Sequence, residues 1–186
     1  MTDTTLITNK NGIDKINRIP LVKNKNCTKM INIVDNKGVS LFVDFCSGSK
    51  NDCKCLLKFL DEYLSKNIGI VTFLGDSGFY TQEILDLLKS HNVKTLIAKN
   101  VRNCKKYRVY NKKGKKKKLT YFEKIERQLE DMTTREKNQF KQRGKIENLY
   151  ANYKQIKRFA LRYDRYVINL YLYSLLYFCE QFLKHI

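Results

Sequence analysis

Residues 68–98, IGIVTFLGDSGFYTQEILDLLKSHNVKTLIA, are the segment that decides the fold class. The apolar run at 68–74 is flanked by glycines and predicts a strand buried on both faces. A helix is predicted over 81–90 and a second strand over 93–98. Two strands joined through a helix favour parallel pairing, so this segment predicts an α/β protein.

Further extended segments precede this unit. Residues 4–7 predict a short strand. The Ile- and Val-rich runs at 29–34 and 39–46 are separated by the sequence DNKG, which predicts a β-hairpin. Leucines recur at helical spacing within 53–66, so a helix is expected there. The predicted order is therefore a hairpin followed by alternating helices and strands.

The composition is that of a folded and strongly basic protein. The 186 residues are 42% apolar and carry a formal net charge of +19, with one proline and eight glycines. These values argue against a disordered chain and indicate a polyanionic partner, most simply nucleic acid. The charge is uneven, because residues 1–98 hold 13 basic and 10 acidic residues whereas 99–186 hold 24 and 8. The second half is therefore expected to attract the polyanion.

A polybasic tract lies at 99–118, where eleven of twenty residues are Lys or Arg. Its densest part, KKGKKKKL, includes Lys115, Lys116, Lys117 and Lys118. One interpretation is a loop that contacts DNA or directs the protein to the nucleus. The other is a solvated loop in a lysine-rich protein, and the sequence does not decide between them.

Neither the cysteines nor the longest apolar run indicates a secreted or membrane protein. The six cysteines lack the paired CxxC spacing of a zinc site, and the polar amino-terminal segment is not a secretory signal. We therefore expect reduced thiols in an intracellular protein, in the cytoplasm or nucleoid, or in the nucleus of a eukaryotic host. The uncharged run at 166–179 is too short to span a membrane and predicts a buried helix.

The stretch at 140–166, FKQRGKIENLYANYKQIKRFALRYDRY, places one carboxylate among basic side chains. At about 100° per residue, Arg143, Glu147, Lys154 and Arg158 fall within about 60° on one helix face. A carboxylate in a basic stripe suits a metal ion held beside a phosphate backbone. The alternative is a solvated face with an ion pair between Arg143 and Glu147, which contributes only about 0.3 to 0.5 kcal/mol.

Two further carboxylates stand beside predicted strands. Asp76 follows the apolar run in FLGDSGFY, at the carboxyl end of a strand, where sites assemble in α/β sheets. An aspartate after a strand is also a common helix cap, and its position leaves both roles open. Asp3, in TDTTLI, adjoins the first extended segment and is uninformative by itself.

Taken together, these motifs resemble those of the bacterial insertion-sequence DDE transposases. Phe140, Arg143, Glu147 and Lys154 reproduce the spacing of the family's Tyr-x2-Arg-x3-Glu-x6-Lys signature, with Phe in the Tyr position. LGDSGFY is similar to the motif around the family's second acid, and DTT at Asp3 is similar to its first-acid motif. The resemblance extends over nearly the whole chain.

The resemblance implies a ribonuclease H-like fold, with a mixed five-stranded sheet and flanking helices. Residues 1–186 would form a single catalytic domain with a basic insertion at about 99–142. The amino-terminal DNA-binding region of the family is expected to be absent from this sequence. The fold would bring Asp3, Asp76 and Glu147 together despite their separation in sequence.

The resemblance also implies a two-metal active site. The three acids would hold two Mg²⁺ or Mn²⁺ ions about 4 Å apart, since oxygen ligands suit hard cations. Arg143, Lys154 and Arg158 would contact DNA phosphates near the scissile bond. The expected partners are double-stranded DNA, as transposon ends and target, and a second copy of the chain in a homodimer, with no membrane.

The predicted function is therefore metal-dependent DNA strand cleavage and transfer during transposition. Two alternatives stay open. One is a degenerate, non-catalytic DNA-binding remnant of a transposon. The other is a nuclease on the same fold, which would cut DNA without joining it.

Overall fold

The computed structural model describes residues 1–66, 69–100 and 120–184, which belong to two compact units. The first unit comprises residues 1–68 and 142–186, and the second comprises residues 69–141. In chain order the strands and helices are β1 (Thr2–Asn9), β2 (Asn17–Ile19), β3 (Lys25–Val34), β4 (Ser40–Ser47), α1 (Asp52–Lys66), β5 (Thr72–Gly75), α2 (Gln82–Ser90), β6 (Lys94–Ile97), α3 (Tyr121–Gln128), α4 (Thr134–Lys141), α5 (Gly144–Gln155), α6 (Lys157–Ala160), β7 (Leu161–Arg162) and α7 (Val167–Leu183).

The strands of the first unit are organised around β3. It pairs antiparallel with β1, β2 and β4, and β1 also pairs in parallel with β7. The described residues hold seven strands, whereas the resemblance implied five. The difference arises because β2 and β7, with three and two residues, are short strands that the hydrophobic pattern does not reveal.

The predicted hairpin is confirmed by β3, β4 and the turn between them. The Asp35 carboxylate accepts hydrogen bonds from the backbone N–H groups of Lys37 and Val39, both at 2.8 Å. Gly38 has a φ of +92°, a conformation that residues with a β-carbon rarely adopt. The DNKG sequence therefore supplies both the side-chain acceptor and the glycine that the turn requires.

Helices cover both faces of this group of strands. Phe42 of β4 stacks on Phe59 of α1, with ring centroids 4.0 Å apart. Phe45 of β4 packs edge-on against Tyr171 of α7, with centroids 6.3 Å apart. Since side chains alternate between faces along a strand, α1 and α7 lie on opposite faces. The helix predicted at 53–66 is confirmed by α1.

An aromatic cluster joins α5, α6 and α7. The Tyr153 ring stacks on Phe159 at 4.2 Å and on Phe178 at 5.5 Å. The Tyr153 hydroxyl lies 2.6 Å from the Ser174 hydroxyl, so the only polar atom of this buried ring is paired. These contacts hold α5 and α7 against each other within the first unit.

The prediction that the run at 166–179 forms a buried helix is only half right. One face of α7 is buried, whereas Ile168, Leu172 and Leu176 on the other face are exposed. An uncharged sequence does not reveal which of its apolar residues find a partner. In the described part of the chain, no helix is long and apolar enough to cross a membrane.

A buried arginine ties β7 to the start of α7. Arg162 has no exposed surface, and its guanidinium donates to the Asp14 carboxylate, to the Thr28 hydroxyl at 2.8 Å and to the Asp164 carbonyl at 3.0 Å. Asp14 also accepts from the backbone N–H of Val167 at 2.8 Å, at the first residue of α7. One arginine therefore links segments that are about 130 to 150 residues apart in sequence.

Cysteine pairing differs from the sequence-based prediction. Cys46 of β4 and Cys55 of α1 form a disulfide, so the expectation of reduced thiols is wrong for this pair. The two residues lie only nine positions apart, and the hairpin strand and the helix bring their side chains together. Cys27 and Cys53 are free and buried, and Cys179 is free and exposed.

In the second unit, β5 and β6 pair in parallel and α2 connects them, as the segment 68–98 predicted. The prediction that the first of these strands is buried on both faces is wrong. β5 is short, its buried and half-buried residues alternate, and Val71 just before it is 75% exposed. The prediction of a single domain with an insertion at about 99–142 stays a prediction.

Candidate active site

Asp3 lies near the start of β1 in the first unit. It stands opposite Asn32 of β3, which in turn stands opposite Val43 of β4. Directly opposed residues share a face, and so do residues two apart, so Asp3 lies on the same face as Phe45. That is the face covered by α7. The Asp3 carboxylate is half-buried and accepts a hydrogen bond from the backbone N–H of Thr4 at 2.8 Å.

Asn32 makes the surroundings of Asp3 unusually polar for a sheet interior. Its side chain is fully buried, and its Oδ1 accepts from the Ser40 hydroxyl at 2.9 Å. Among the described residues, its Nδ2 has no hydrogen-bond partner. A buried polar group without a partner costs free energy, and a functional role is one explanation for retaining it. The sequence gives no signal for Asn32, because this residue interrupts an otherwise apolar strand and belongs to no motif.

A tyrosine brings α5 to the strand that carries Asp3. The Tyr150 hydroxyl donates to the backbone carbonyl of Asp3 at 2.6 Å, a contact across 147 residues. Burial raises the pKa of Tyr150 well above its ordinary value, and the negative charge of Asp3 raises it further. Tyr150 therefore stays protonated and keeps donating this bond.

Glu147 lies one helical turn before Tyr150 on α5. Its side chain is 57% exposed, and its Oε1 lies 2.8 Å from a guanidinium nitrogen of Arg143. The ion pair considered from the sequence is thus formed. Asp3 and Glu147 consequently belong to elements of one unit that are in direct contact through Tyr150.

Asp76 belongs to the second unit, directly after β5. Its carboxylate accepts a hydrogen bond from the backbone N–H of Ser77 at 2.6 Å, at the start of the short 3₁₀ helix Ser77–Phe79. The capping interpretation of Asp76 is therefore confirmed. The ligand role of Asp76 stays a prediction beside this cap.

Lys154 is half-buried on α5 rather than fully solvated. Burial lowers its pKa below the usual range, and the nearby side chain of Cys27 opposes that shift. Burial also raises the pKa of the Cys27 thiol. A partly desolvated ammonium attracts an anion more strongly than a solvated one, because less water screens the interaction. The neighbouring cysteine lies on β3, so the sequence gives no signal that would pair it with this lysine.

The prediction that Arg158 lies on the same helix face as Arg143, Glu147 and Lys154 is wrong. Ile156 has an extended backbone, with ψ of 116°, so α5 ends at Gln155 and Arg158 lies in the separate helix α6. Its guanidinium pairs with the Asp164 carboxylate and lies 3.4 Å from the centre of the Tyr173 ring. The hydrogen bond to Asp164 raises the pKa of Arg158. These contacts give Arg158 a structural role that helical periodicity did not predict.

The remaining predicted residues are Phe140 and the four lysines of the polybasic tract. Phe140 lies in α4 of the second unit, before the break that precedes α5. The tract with Lys115, Lys116, Lys117 and Lys118 lies outside the described residues.

The three candidate acids are chemically suited to bind divalent cations. Asp3, Asp76 and Glu147 would offer carboxylate oxygens, the ligands that Mg²⁺ and Mn²⁺ prefer. Within residues 1–66, 69–100 and 120–184, however, no three side chains of His, Cys, Asp or Glu are grouped closely enough to hold a metal ion. The Glu147 carboxylate is paired with a cation of the protein, Arg143.

Comparison with known proteins adds one match. The model of the family described as Transposase DDE domain matches residues 8–179. This range includes Asp76 and Glu147 and begins after Asp3. No curated protein and no solved structure matches the chain.

Proposed function

The chain belongs to the transposase DDE domain family, and we propose that it is a catalytic domain that cleaves and transfers DNA strands with divalent metal ions. The observation that carries this proposal is the hydrogen bond from Tyr150 to Asp3. It joins the helix of Glu147 to the strand of Asp3, although the two are far apart in sequence. Structural packing alone does not require carboxylates on both contacting elements.

The ribonuclease H-like arrangement is part of the proposal. Its support is the position of β1, which pairs antiparallel with β3 and in parallel with β7, while α5 contacts it. An aspartate on such a strand is held by backbone pairing on an element that resists displacement. The resemblance to the Tyr-Arg-Glu-Lys branch of the family belongs to the proposal as well.

In this proposal, Asp3, Asp76 and Glu147 would hold two Mg²⁺ or Mn²⁺ ions. Such ions supply a nucleophile at neutral pH and stabilise the leaving oxygen of a phosphodiester. Tyr150 positions α5 against β1. Asn32 contributes a polar environment beside Asp3, so that a charged group is less costly there.

The basic residues of α5 would hold the substrate. When DNA binds, Arg143 exchanges the carboxylate of Glu147 for a phosphate, which releases Glu147 for its role as a ligand. Lys154 contributes a partly desolvated ammonium to a neighbouring phosphate. Arg158, already paired with Asp164, orients the segment before α7 and contributes its charge to the same surface. The net charge of +19 supports double-stranded DNA as the substrate, with transposon ends and target both bound.

A second candidate is a non-catalytic DNA-binding remnant. The ion pair between Glu147 and Arg143 and the capping bond of Asp76 favour it, because both carboxylates already have protein partners. The two candidates make different products. A transposase joins a 3′ end to a second duplex, a nuclease on the same fold only cuts, and a remnant does neither.

Product analysis tests these candidates. The chain is incubated with Mg²⁺, a labelled duplex with a free 3′-hydroxyl end and a supercoiled plasmid, and covalent transfer of label to the plasmid is measured. Joined label that requires Mg²⁺ supports the proposal. Nicked plasmid without joined label identifies a nuclease, and intact plasmid at saturating DNA binding identifies a remnant.

A further inference from the structure

A polar pocket lies on the first unit, and neither Asp3 nor Glu147 is among the residues that line it. It has a volume of about 210 Å³ and is bounded by the turn between β3 and β4, by α5 and by α7. We call it the Lys145 pocket. Its lining includes the polar residues Lys37, Lys145, Asn148, Asn152, Tyr177 and Gln181, and no acidic residue. The pocket therefore offers two ammonium groups and three carboxamides to one ligand.

The turn that forms its rim is held against α5. The Lys145 ammonium donates to the backbone carbonyl of Asn36. The turn also lies close to the helix, since a β-carbon placed on Gly38 would come within 3.5 Å of the Lys145 β-carbon. Both lysines are exposed residues, and the Lys145 ammonium has three N–H donors, of which Asn36 uses one. The site is thus partly preorganised and accessible.

The pocket uses a different face of α5 from the candidate active site. At about 100° per residue, Lys145, Asn148 and Asn152 fall within about 60° of one another. The centre of this face is roughly 130° from Glu147 around the helix axis. A ligand in the Lys145 pocket would therefore not compete with one that contacts Glu147.

We infer that the Lys145 pocket binds the backbone of a second segment of the DNA, on the far side of α5 from Glu147. This inference rests on the proposed function and extends it, since a strand-transfer reaction involves two stretches of DNA. Lys37 and Lys145 neutralise phosphates. Carboxamides both donate and accept, so Asn148 and Asn152 match the mixed donors and acceptors of phosphate, sugar and base edges.

Salt dependence of DNA binding tests this inference without relying on catalysis. A fluorescein-labelled duplex of random sequence is titrated with the parent and with a Lys37→Gln/Lys145→Gln double variant, in the absence of metal. Glutamine keeps most of the side-chain stem and can still donate to Asn36. Removing two phosphate contacts lowers the slope of log K against log salt by about 1.8.

The matched control is Lys54→Gln/Lys58→Gln, which removes two exposed lysines from α1. This helix lies on the opposite face of the strands from α7. We expect the control to keep the slope of the parent, and circular dichroism checks that both variants are folded. An unchanged slope in the pocket variant, or equal loss in both variants, overturns the inference.

Two further outcomes distinguish DNA binding in the Lys145 pocket from binding of a small anion there, and from the catalytic proposal. If inorganic phosphate shifts the NMR signals of Gly38 and Asn148 at saturation while the pocket variant keeps the parent slope, the pocket takes a small anion and the DNA assignment is wrong. If the slope falls as expected but the chain never cuts DNA, the catalytic proposal fails and the DNA-binding pocket stands.

Discussion

The hydroxyl of Tyr150 donates a hydrogen bond to the backbone carbonyl of Asp3 at 2.6 Å, across 147 residues of sequence. This bond connects the strand of one candidate catalytic acid with the helix of another. Because Tyr150 is buried and its neighbour Glu147 is exposed, the same helix both packs on the unit and presents a carboxylate to solvent. The local geometry of the proposed site depends on this contact.

Replacing Tyr150 with Phe is expected to weaken both stability and cleavage. The variant keeps the buried ring and loses one hydrogen bond, so the free energy of unfolding should fall by about 1 kcal/mol. Cleavage should fall further than DNA affinity, since the bond positions α5 and does not contact DNA. Urea unfolding and plasmid nicking measure the two effects. The control is Tyr171→Phe, whose ring packs on Phe45 and should retain parent-like values; equal losses in the two variants contradict a positioning role.

Replacing the buried Arg162 with Met is expected to be among the most destabilising single changes. The substitution leaves Asp14 without its guanidinium partner and removes the bonds to Thr28 and to the Asp164 carbonyl. Loss of hydrogen bonds to a charged group costs about 1.5 to 3 kcal/mol, and the cost stays below that of a fully buried ion pair because the Asp14 side chain is 39% exposed. Chemical denaturation measures the free energy of unfolding of Arg162→Met and of a control, Arg165→Met. Arg165 is an exposed neighbour, so its substitution should change stability by less than about 0.5 kcal/mol. If Arg162→Met lowers the free energy of unfolding no more than Arg165→Met does, the hydrogen-bond network of Arg162 does not stabilise the fold.

The disulfide between Cys46 and Cys55 is expected to stabilise the first unit. It joins residues nine positions apart in sequence, and the chain-entropy model gives a stabilisation of about 2.5 kcal/mol. A Cys46→Ser/Cys55→Ser variant should therefore unfold at lower denaturant concentration, and a reductant should have the same effect on the parent. Cys179→Ser, at an exposed free thiol, is the control. Detection of both Cys46 and Cys55 as free thiols in air-equilibrated parent protein refutes the pairing.

The acid stability of the second unit is expected to depend on Glu136. Its hydrogen bonds with Lys94 and with Thr133 lower its pKa from 4.5 to about 2. A carboxyl whose pKa is depressed by folding stabilises the folded state above pH 4.5, and this stabilisation is lost as the pH falls from 4.5 toward 2. Thermal unfolding against pH should show a smaller acid decline in Glu136→Gln than in the parent. The exposed Glu83 on α2 gives the control Glu83→Gln, and a parent-like decline in Glu136→Gln contradicts the assignment.

The sequence predicted those strands, helices and turns that are determined by residues close to one another in the chain. The hairpin followed from the Asp35 to Gly38 turn, and the order of β5, α2 and β6 followed from one apolar run and one amphipathic segment. The sequence also named Asp3, Asp76 and Glu147 as candidates through short motifs. Each of these predictions depends on residues within a few positions of one another.

The remaining features depend on contacts between distant residues. Nothing near Arg162 in sequence indicates that it would be buried against Asp14, and the apolar pattern of α7 does not show which face lacks a partner. Helical periodicity extended the basic stripe to Arg158 because the extended backbone at Ile156 leaves no mark in the spacing of charges. Nothing in the sequence around Tyr150 indicates that its hydroxyl makes the contact that joins the two elements.

The most direct test of the catalytic proposal is Mg²⁺-dependent nicking of supercoiled plasmid by the parent, by Glu147→Gln and by Glu180→Gln. Glu180 is a matched control, because it is an exposed helical glutamate paired with a lysine four residues away. We expect the parent and Glu180→Gln to nick the plasmid at similar rates. In Glu147→Gln the nicking rate should fall by at least about a hundredfold, as when an essential catalytic group is removed. Nicking by Glu147→Gln at the parent's rate contradicts the account. So does the absence of nicking in all three proteins when all three bind DNA.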